Sequence, residues 1–284
     1  MEIKNIHIIG LGLLGGSFAL ALKKHLPQLK ITGHDQNPSH LEEALQRGII
    51  DEHTVTPPLA SEVIVISTPV NTVGPLVVEI LETIHPEVLL MDFGSTKEKI
   101  CLQASSHPRR SQFLAAHPIA GTEFSGPSAA FTELLINKIM IVCEHEKTSP
   151  DLLKRAYFLF NLLQMHVRNM GPEQHDRHLA FVSHLSHISS FMLGQTVLDK
   201  MEDDKNILDM AGSGFESTVR LAKSSPAMWT PILKENKGNI LEALDGYIKN
   251  LSEFRKMMAE DQYEELNGKM KKANLIGTIL EQKK

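Results

Sequence analysis

From residue 3 to about 145, short β-branched runs alternate with longer stretches in which apolar side chains recur every three or four positions. The runs are IKNIHIIG, LKITGHD, EVIVIST, VLLMDFG, FLAAHP and KIMIVCE. Between them the spacing predicts helices over Ser17 to Lys24, near His40 to Gln46, over Asn71 to Ile84, and after Ser95. Alternation of this kind is the pattern of βαβ units. The runs IVIS and VLLM are apolar almost throughout, which fits strands covered on both faces. The expected fold is therefore α/β, with a Rossmann-like, mostly parallel, doubly wound sheet.

A helix over Pro150 to Leu163 and a strand-like MHVRNM follow, and then the pattern changes at Gly171-Pro172. Beyond that point the periodicity is helical to the end. Pro172 and Glu173 open a long helix to about Leu198. Shorter segments follow near Lys205 to Met210, Gly214 to Lys223 and Pro226 to Lys234. The division expected is a doubly wound domain over 1–170 and a helical domain over 171–284. The last stretch carries Ile240, Leu244, Ile248, Leu251, Phe254, Met258 and Leu266 in an apolar stripe. Such a stripe is a core or helix–helix interface, and in an elongated helical domain it predicts a homodimer.

Composition narrows the function classes. The 284 residues are 42% hydrophobic and 22% charged, with a formal net charge of −5 and no basic run. Nucleic acid is thus not an expected partner. Two cysteines, Cys101 and Cys143, stand outside any ligand spacing, which argues for a reducing compartment and against structural disulfides or zinc. The N-terminus has no secretory pattern and no run reaches membrane-spanning length, so a cytoplasmic protein without a membrane partner is expected.

The stretch IIGLGLLGGS places Gly10, Gly12 and Gly15 in a G-x-G-x-x-G pattern that closes a strand and opens a helix at Leu13 and Leu14. In that setting the first glycine permits the tight turn and the second lets backbone approach a pyrophosphate. The third allows close helix–strand packing, and the helix N-terminus faces the phosphates. Asp35 ends the second strand, 20 residues past Gly15, where a carboxylate accepts from ribose hydroxyls and repels a 2′-phosphate. The cofactor expected is NAD rather than NADP. Ser67, Thr68 and Pro69 end the third strand on the same edge, and Ser95 follows a fourth, where it can equally be a helix N-cap.

FLAAHPIAGTEFSGP puts His117 directly after an apolar run and follows it with Thr122, Glu123 and flexible backbone. On this reading the imidazole follows the strand and opens beside the nicotinamide. Further on, His175, His178, His184 and His187 fall within thirteen residues. On a regular helix at about 100° per residue the two pairs face different sides, so four imidazoles cannot meet one metal ion. No metal is expected; one imidazole would face the cleft and the rest would cap or lie on the surface.

GLGLLGGS, STPV, DFGSTK, HPIAGTEFSGP, the His175-Asp176 pair, SHLSH and VRLAKSSPAMW together resemble the prephenate and arogenate dehydrogenases of tyrosine biosynthesis, over almost the whole chain. The resemblance implies NAD-dependent oxidative decarboxylation of prephenate to 4-hydroxyphenylpyruvate, with hydride leaving ring C4 and CO2 leaving C1. It implies that His117 accepts a hydrogen bond or proton from the C4 hydroxyl and that Ser95 bonds to His117 or to that hydroxyl. His187 and Arg220 would hold the substrate, a guanidinium being suited to a carboxylate, with Thr122 and Glu123 lining the pocket. Blander roles stand beside these: Arg220 as a surface ion-pair residue, Glu123 as a loop-ordering carboxylate, Trp229 as packing. The stretch GSGFESTVR departs from the family, with Glu216 and Ser217 where a basic residue and an aspartate are common. An anion near the substrate carboxylate bears on the choice between prephenate and arogenate. Competing readings are an arogenate dehydrogenase, another two-domain nicotinamide enzyme using a lysine from its helical half, and a non-catalytic dinucleotide-binding relative.

Overall fold

The computed structural model describes residues 2–201 and 206–282, so Lys205, at the start of one expected helical segment, lies outside it. The chain packs as two compact units, 1–237 and 238–284. The first is built on one eight-stranded sheet. In chain order its strands are β1 (Asn5–Ile9), β2 (Lys30–His34), β3 (Glu52–His53), β4 (Val63–Ile66), β5 (Leu89–Asp92), β6 (Phe113–Ile119), β7 (Ile139–Cys143) and β8 (His166–Met170). Their spatial order is β3-β2-β1-β4-β5-β6-β7-β8. Every pairing is parallel except β6 with β7. The sheet order turns about β1 and β4, which makes the carboxyl ends of those strands the place where such sheets bind ligands.

The sequence of β4, VIVI, shows how both faces are covered. Val63 and Val65 pack into one core with Phe18 and Leu22 of α1 (Leu13–His25) and Leu159 and Phe160 of α5 (Pro150–Leu162). Ile64 and Ile66 point the other way, to Val73 and Val77 of α3 (Val70–Thr83) and Ile100 of α4 (Glu98–Ala104). Each fully buried aliphatic side chain of this kind contributes about 1.5–3 kcal/mol. Trp229 and Ile232 of α9 (Pro226–Glu235) belong to this second core and lie on α3.

Two expectations are corrected here. His117 does not follow β6 but lies within it, its Cα in register with Ile141 of β7. The parallel pairing with β5 stops at Ala115, so the last residues of β6 stand past the carboxyl end of the parallel sheet with a partner on one side only. That one-sidedness is why Pro118, which lacks an N–H, is accommodated in the strand. The second correction concerns the long helix. It is split into α6 (Pro172–Leu179) and α7 (Leu185–Met201) by a π-helical turn over Ala180–His184. A π turn advances less per residue than an α turn, so it shifts the phase of everything after it.

The remaining helices are α2 (Pro38–Gln46), α8 (Ser213–Val219), α10 (Lys237–Ala259) and α11 (Tyr263–Glu281). In the second unit Lys269 of α11 pairs with Glu253 of α10 at 2.6 Å. Ile248, Leu251 and Met258 on α10, and Leu275, Ile276 and Leu280 on α11, are exposed in the single chain. Among the described residues, no helix is long and apolar enough to cross a membrane.

Candidate active site

The glycine loop has the geometry a dinucleotide needs. Gly10 has φ +93°, and a Cβ there would lie 2.4 Å from the carbonyl oxygen of Ser67, so only glycine lets the β1 and β4 ends approach. A Cβ on Gly15 would meet the Gly10 carbonyl oxygen at 2.1 Å, which is the close helix–strand contact expected of it. Around Gly12, by contrast, a Cβ would find nothing within 4 Å. That open space lies at the N-cap of α1, whose first turn begins with Leu13 and Leu14 and has no side-chain cap, so its amides are free for an anion.

Asp35 is fixed by the loops around it. Its Oδ2 accepts from the Leu11 amide at 2.9 Å and its Oδ1 from the Asn37 amide at 2.9 Å, with His40 Nδ1 3.3 Å away. Gly10, Gly12, Asp35, Ser67, Thr68 and Pro69 all line one cavity of about 780 Å³. These residues fit a bound NAD: room at Gly12 for the pyrophosphate and a held carboxylate at the end of β2 for the ribose hydroxyls.

The second cluster gathers around His117. Its Nδ1 lies 2.9 Å from Nε2 of His175, and Nδ1 of His175 lies 2.7 Å from Oδ1 of Asp176. Asp176 in turn accepts from the amides of Lys97 at 2.7 Å and Glu98 at 3.0 Å. A carboxylate on α6 thus caps α4, a role the sequence offered to Ser95. Ser95 sits half-buried three residues before α4, and no hydrogen bond joins it to His117. Beneath these groups the fully buried Lys97 ammonium forms an ion pair with Asp92 at the end of β5.

Electrostatics keep the imidazoles neutral. Burial first, and then His175, Lys97 and His184, hold His117 well below the usual histidine value. Burial also lowers His175, against the pull of Asp176. His184 is pushed down to about 4, mainly by burial. Neutral imidazole is the form that accepts a proton.

The network continues past Asp176. Asn236 Nδ2 donates to the Asp176 carbonyl oxygen at 2.7 Å and lies 3.2 Å from His184 Nδ1. His184 meets Trp229 edge-on, with ring centroids 5.7 Å apart, and His187 stacks on the same indole at 3.7 Å. Burial lowers the His187 pKa, against the bond to the Ser183 carbonyl and with help from nearby Arg220, which pairs with Glu123 at 3.5 Å. Thr122 Oγ1 accepts from the Phe124 amide, which orders the loop.

Three of the four clustered histidines are therefore engaged inside the structure, and His178 alone is exposed. The π turn stands between His175 and the His184–His187 pair, so their relative angle differs from that on a regular helix. His175, Asp176, Lys97, His184 and Asn236 were not assigned from sequence. The HD pair and DFGSTK were the available signal, but neither spacing nor periodicity reveals that the Asp176 carboxylate bonds an amide 79 positions away. Glu216 is exposed, as is Ser217. Among the described residues no group of three or more His, Cys, Asp and Glu could hold a metal ion.

Two family models match this chain. The nucleotide-binding domain of prephenate dehydrogenase matches residues 18–169, and the dimerization domain of prephenate dehydrogenase matches residues 171–272. The prephenate dehydrogenase of Bacillus subtilis is 33% identical over 270 residues, covering 92% of this chain and 72% of that protein. The crystal structure of prephenate dehydrogenase from A. aeolicus, in complex with hydroxyphenyl propionate and NAD+, superimposes with a TM-score of 0.88. It is 30% identical, with 99% of each chain covered. Arogenate dehydrogenase from Synechocystis gives a TM-score of 0.76 at 26% identity, covering 97% of this chain and 99% of that one. With both halves matched by its models and a relative 33% identical over most of the chain, the protein belongs to the prephenate dehydrogenase family.

Proposed function

We propose that the protein converts prephenate to 4-hydroxyphenylpyruvate and CO2 with reduction of NAD, as a step of tyrosine biosynthesis. NAD, when bound along Gly10, Gly12 and Gly15, supplies the hydride acceptor. The carboxylate of Asp35 takes the ribose hydroxyls, and Ser67, Thr68 and Pro69 form the wall beside the dinucleotide.

His117 works on the C4 hydroxyl. Among the described residues its Nε2 has no hydrogen-bond partner, while Nδ1 is taken by His175. Nε2 accepts the hydroxyl hydrogen and pushes electron density toward C4 as the hydride leaves. The C1–carboxylate bond breaks with it, its electron pair enters the ring, and the proton held at Nε2 returns to the phenol. No net proton is released, and a positioned base contributes about 10²–10⁴-fold. Ser95 lies free to bond the same hydroxyl. Arg220 offers its fork to a substrate carboxylate, His187 lines the site from its stack on Trp229, and Thr122 and Glu123 shape the loop.

The observation that carries this reading is the neutral His117 with one ring nitrogen held and the other free. Prephenate-dependent NADH formation tests it, and turnover of β-hydroxyacids in place of prephenate would overturn it. A second reading, oxidation of arogenate, is favoured by Glu216, an anion suited to the substrate's ammonium. Comparing kcat/KM for the two substrates decides between them. The boundary at 170/171, a homodimer through the helical part and a cytoplasmic location complete the proposal. The exposed apolar residues of α10 and α11 support the dimer.

A further inference from the structure

His117 is half-buried on the one-sided end of β6, and an imidazole there has two neutral tautomers of which only one can act. If the proton sits on Nε2, that nitrogen cannot accept the substrate hydroxyl's hydrogen. The neighbouring residues choose between the two.

Asp176 can only accept, because its carboxylate already takes the Lys97 and Glu98 amides. At 2.7 Å from His175 Nδ1 it requires a proton on that nitrogen. Neutral His175 then has an unprotonated Nε2, an acceptor 2.9 Å from His117 Nδ1. His117 must donate from Nδ1, and its Nε2 is left with a lone pair. We propose that His175 and Asp176 are positioning residues that lock His117 in the Nδ1–H tautomer, so that Nε2 is the proton-accepting atom. The inference rests on the reading of His117 as the base.

The charged and titratable groups around the couple are consistent with that assignment. His117 is faced by His175, Lys97 and His184, and His175 by Asp176, Lys97 and Asp92. Lys97 and Asp92 pair with each other, so no unbalanced charge competes with Asp176 for the His175 proton. When His117 takes the substrate proton, the imidazolium keeps donating to His175, and Asp176 stabilises it through the chain. Asp176 is itself pinned by two backbone amides, so the whole chain is anchored to the start of α4.

Nitrogen-detected NMR of the 15N-histidine-labelled protein reads the tautomer without substrate. The resonances lost in His117→Asn identify His117. A protonated Nδ1 with an unprotonated Nε2 at neutral pH supports the lock, and protonation at Nε2, or at both nitrogens, overturns it. His175→Phe removes the acceptor while leaving Asp176 to cap α4. Mixed tautomers at His117 and a kcat about 10²-fold lower, with the KM for prephenate and the NAD affinity little changed, are expected. An unchanged kcat in that variant overturns the proposal. Because the tautomer is read on the free protein, the lock and the substrate assignment fail separately.

Discussion

At the scale of single residues, His117, Lys97 and Asp35 each have a consequence that can be measured alone. His117→Asn keeps a polar side chain of similar bulk but removes the accepting nitrogen. Its kcat is expected to fall about 10²–10⁴-fold while NAD binding, followed by fluorescence titration, stays as in the parent. Lys97→Met strands the Asp92 carboxylate in a site where neither group has solvent access. Breaking a buried pair from one side costs about 3–5 kcal/mol, which urea unfolding would show. The paired change Lys97→Met with Asp92→Leu is expected to recover much of that loss. Asp35→Ser removes the charge that repels a 2′-phosphate. The ratio of kcat/KM for NADP to that for NAD is expected to rise at least about tenfold, equivalent to about 1.4 kcal/mol. An unchanged ratio would remove Asp35 from cofactor selection.

The elements show how far residues foretell their surroundings. Strands β1, β2 and β4 to β7 were legible because each is a short β-branched or apolar run, and in β4, buried throughout, no polar residue interrupts the run. The extension of β6 through His117 was not, since Pro118 reads as a strand end unless the one-sided pairing beyond Ala115 is known. The start of α4 was also hidden. Its cap comes from Asp176, whereas the local sequence offers Ser95. The π turn over Ala180–His184 leaves no trace in a 3.6-residue period, yet it sets where His184 and His187 lie. The cofactor loop was the most legible part of the site because its chemistry is local. The His117–His175–Asp176 chain was the least, because it is assembled by contacts distant in sequence.

Two buried histidines, His7 within β1 and His184 in the π turn, also set a pH limit on the fold. His7 and His184 are each pushed down to about 4, chiefly by burial, whereas in the unfolded chain a histidine titrates near 6.5. Below that value the unfolded state binds protons that the folded state refuses, so stability is fully present above about 6.5 and is lost as pH falls toward 4. Between about pH 6.5 and 5 each such histidine costs about 2 kcal/mol. Denaturant midpoints measured across that interval should fall steadily. A flat profile would mean that His7 and His184 are not held neutral in the folded protein.

For the whole molecule, the exposed Ile248, Leu251, Met258, Leu275, Ile276 and Leu280 form apolar surface that a single chain leaves in water. Sedimentation at micromolar concentration is expected to give twice the 31.6 kDa chain mass, and a monomer would refute the interface. Oxidation coupled to decarboxylation is the chemistry proposed for the sheet, the glycine loop and the imidazole chain. Simultaneous recording of NADH and CO2 from the purified protein supplied with NAD and prephenate tests this most directly. Equal amounts of both products, with 4-hydroxyphenylpyruvate recovered, are predicted; NAD binding without prephenate-dependent NADH would contradict the account.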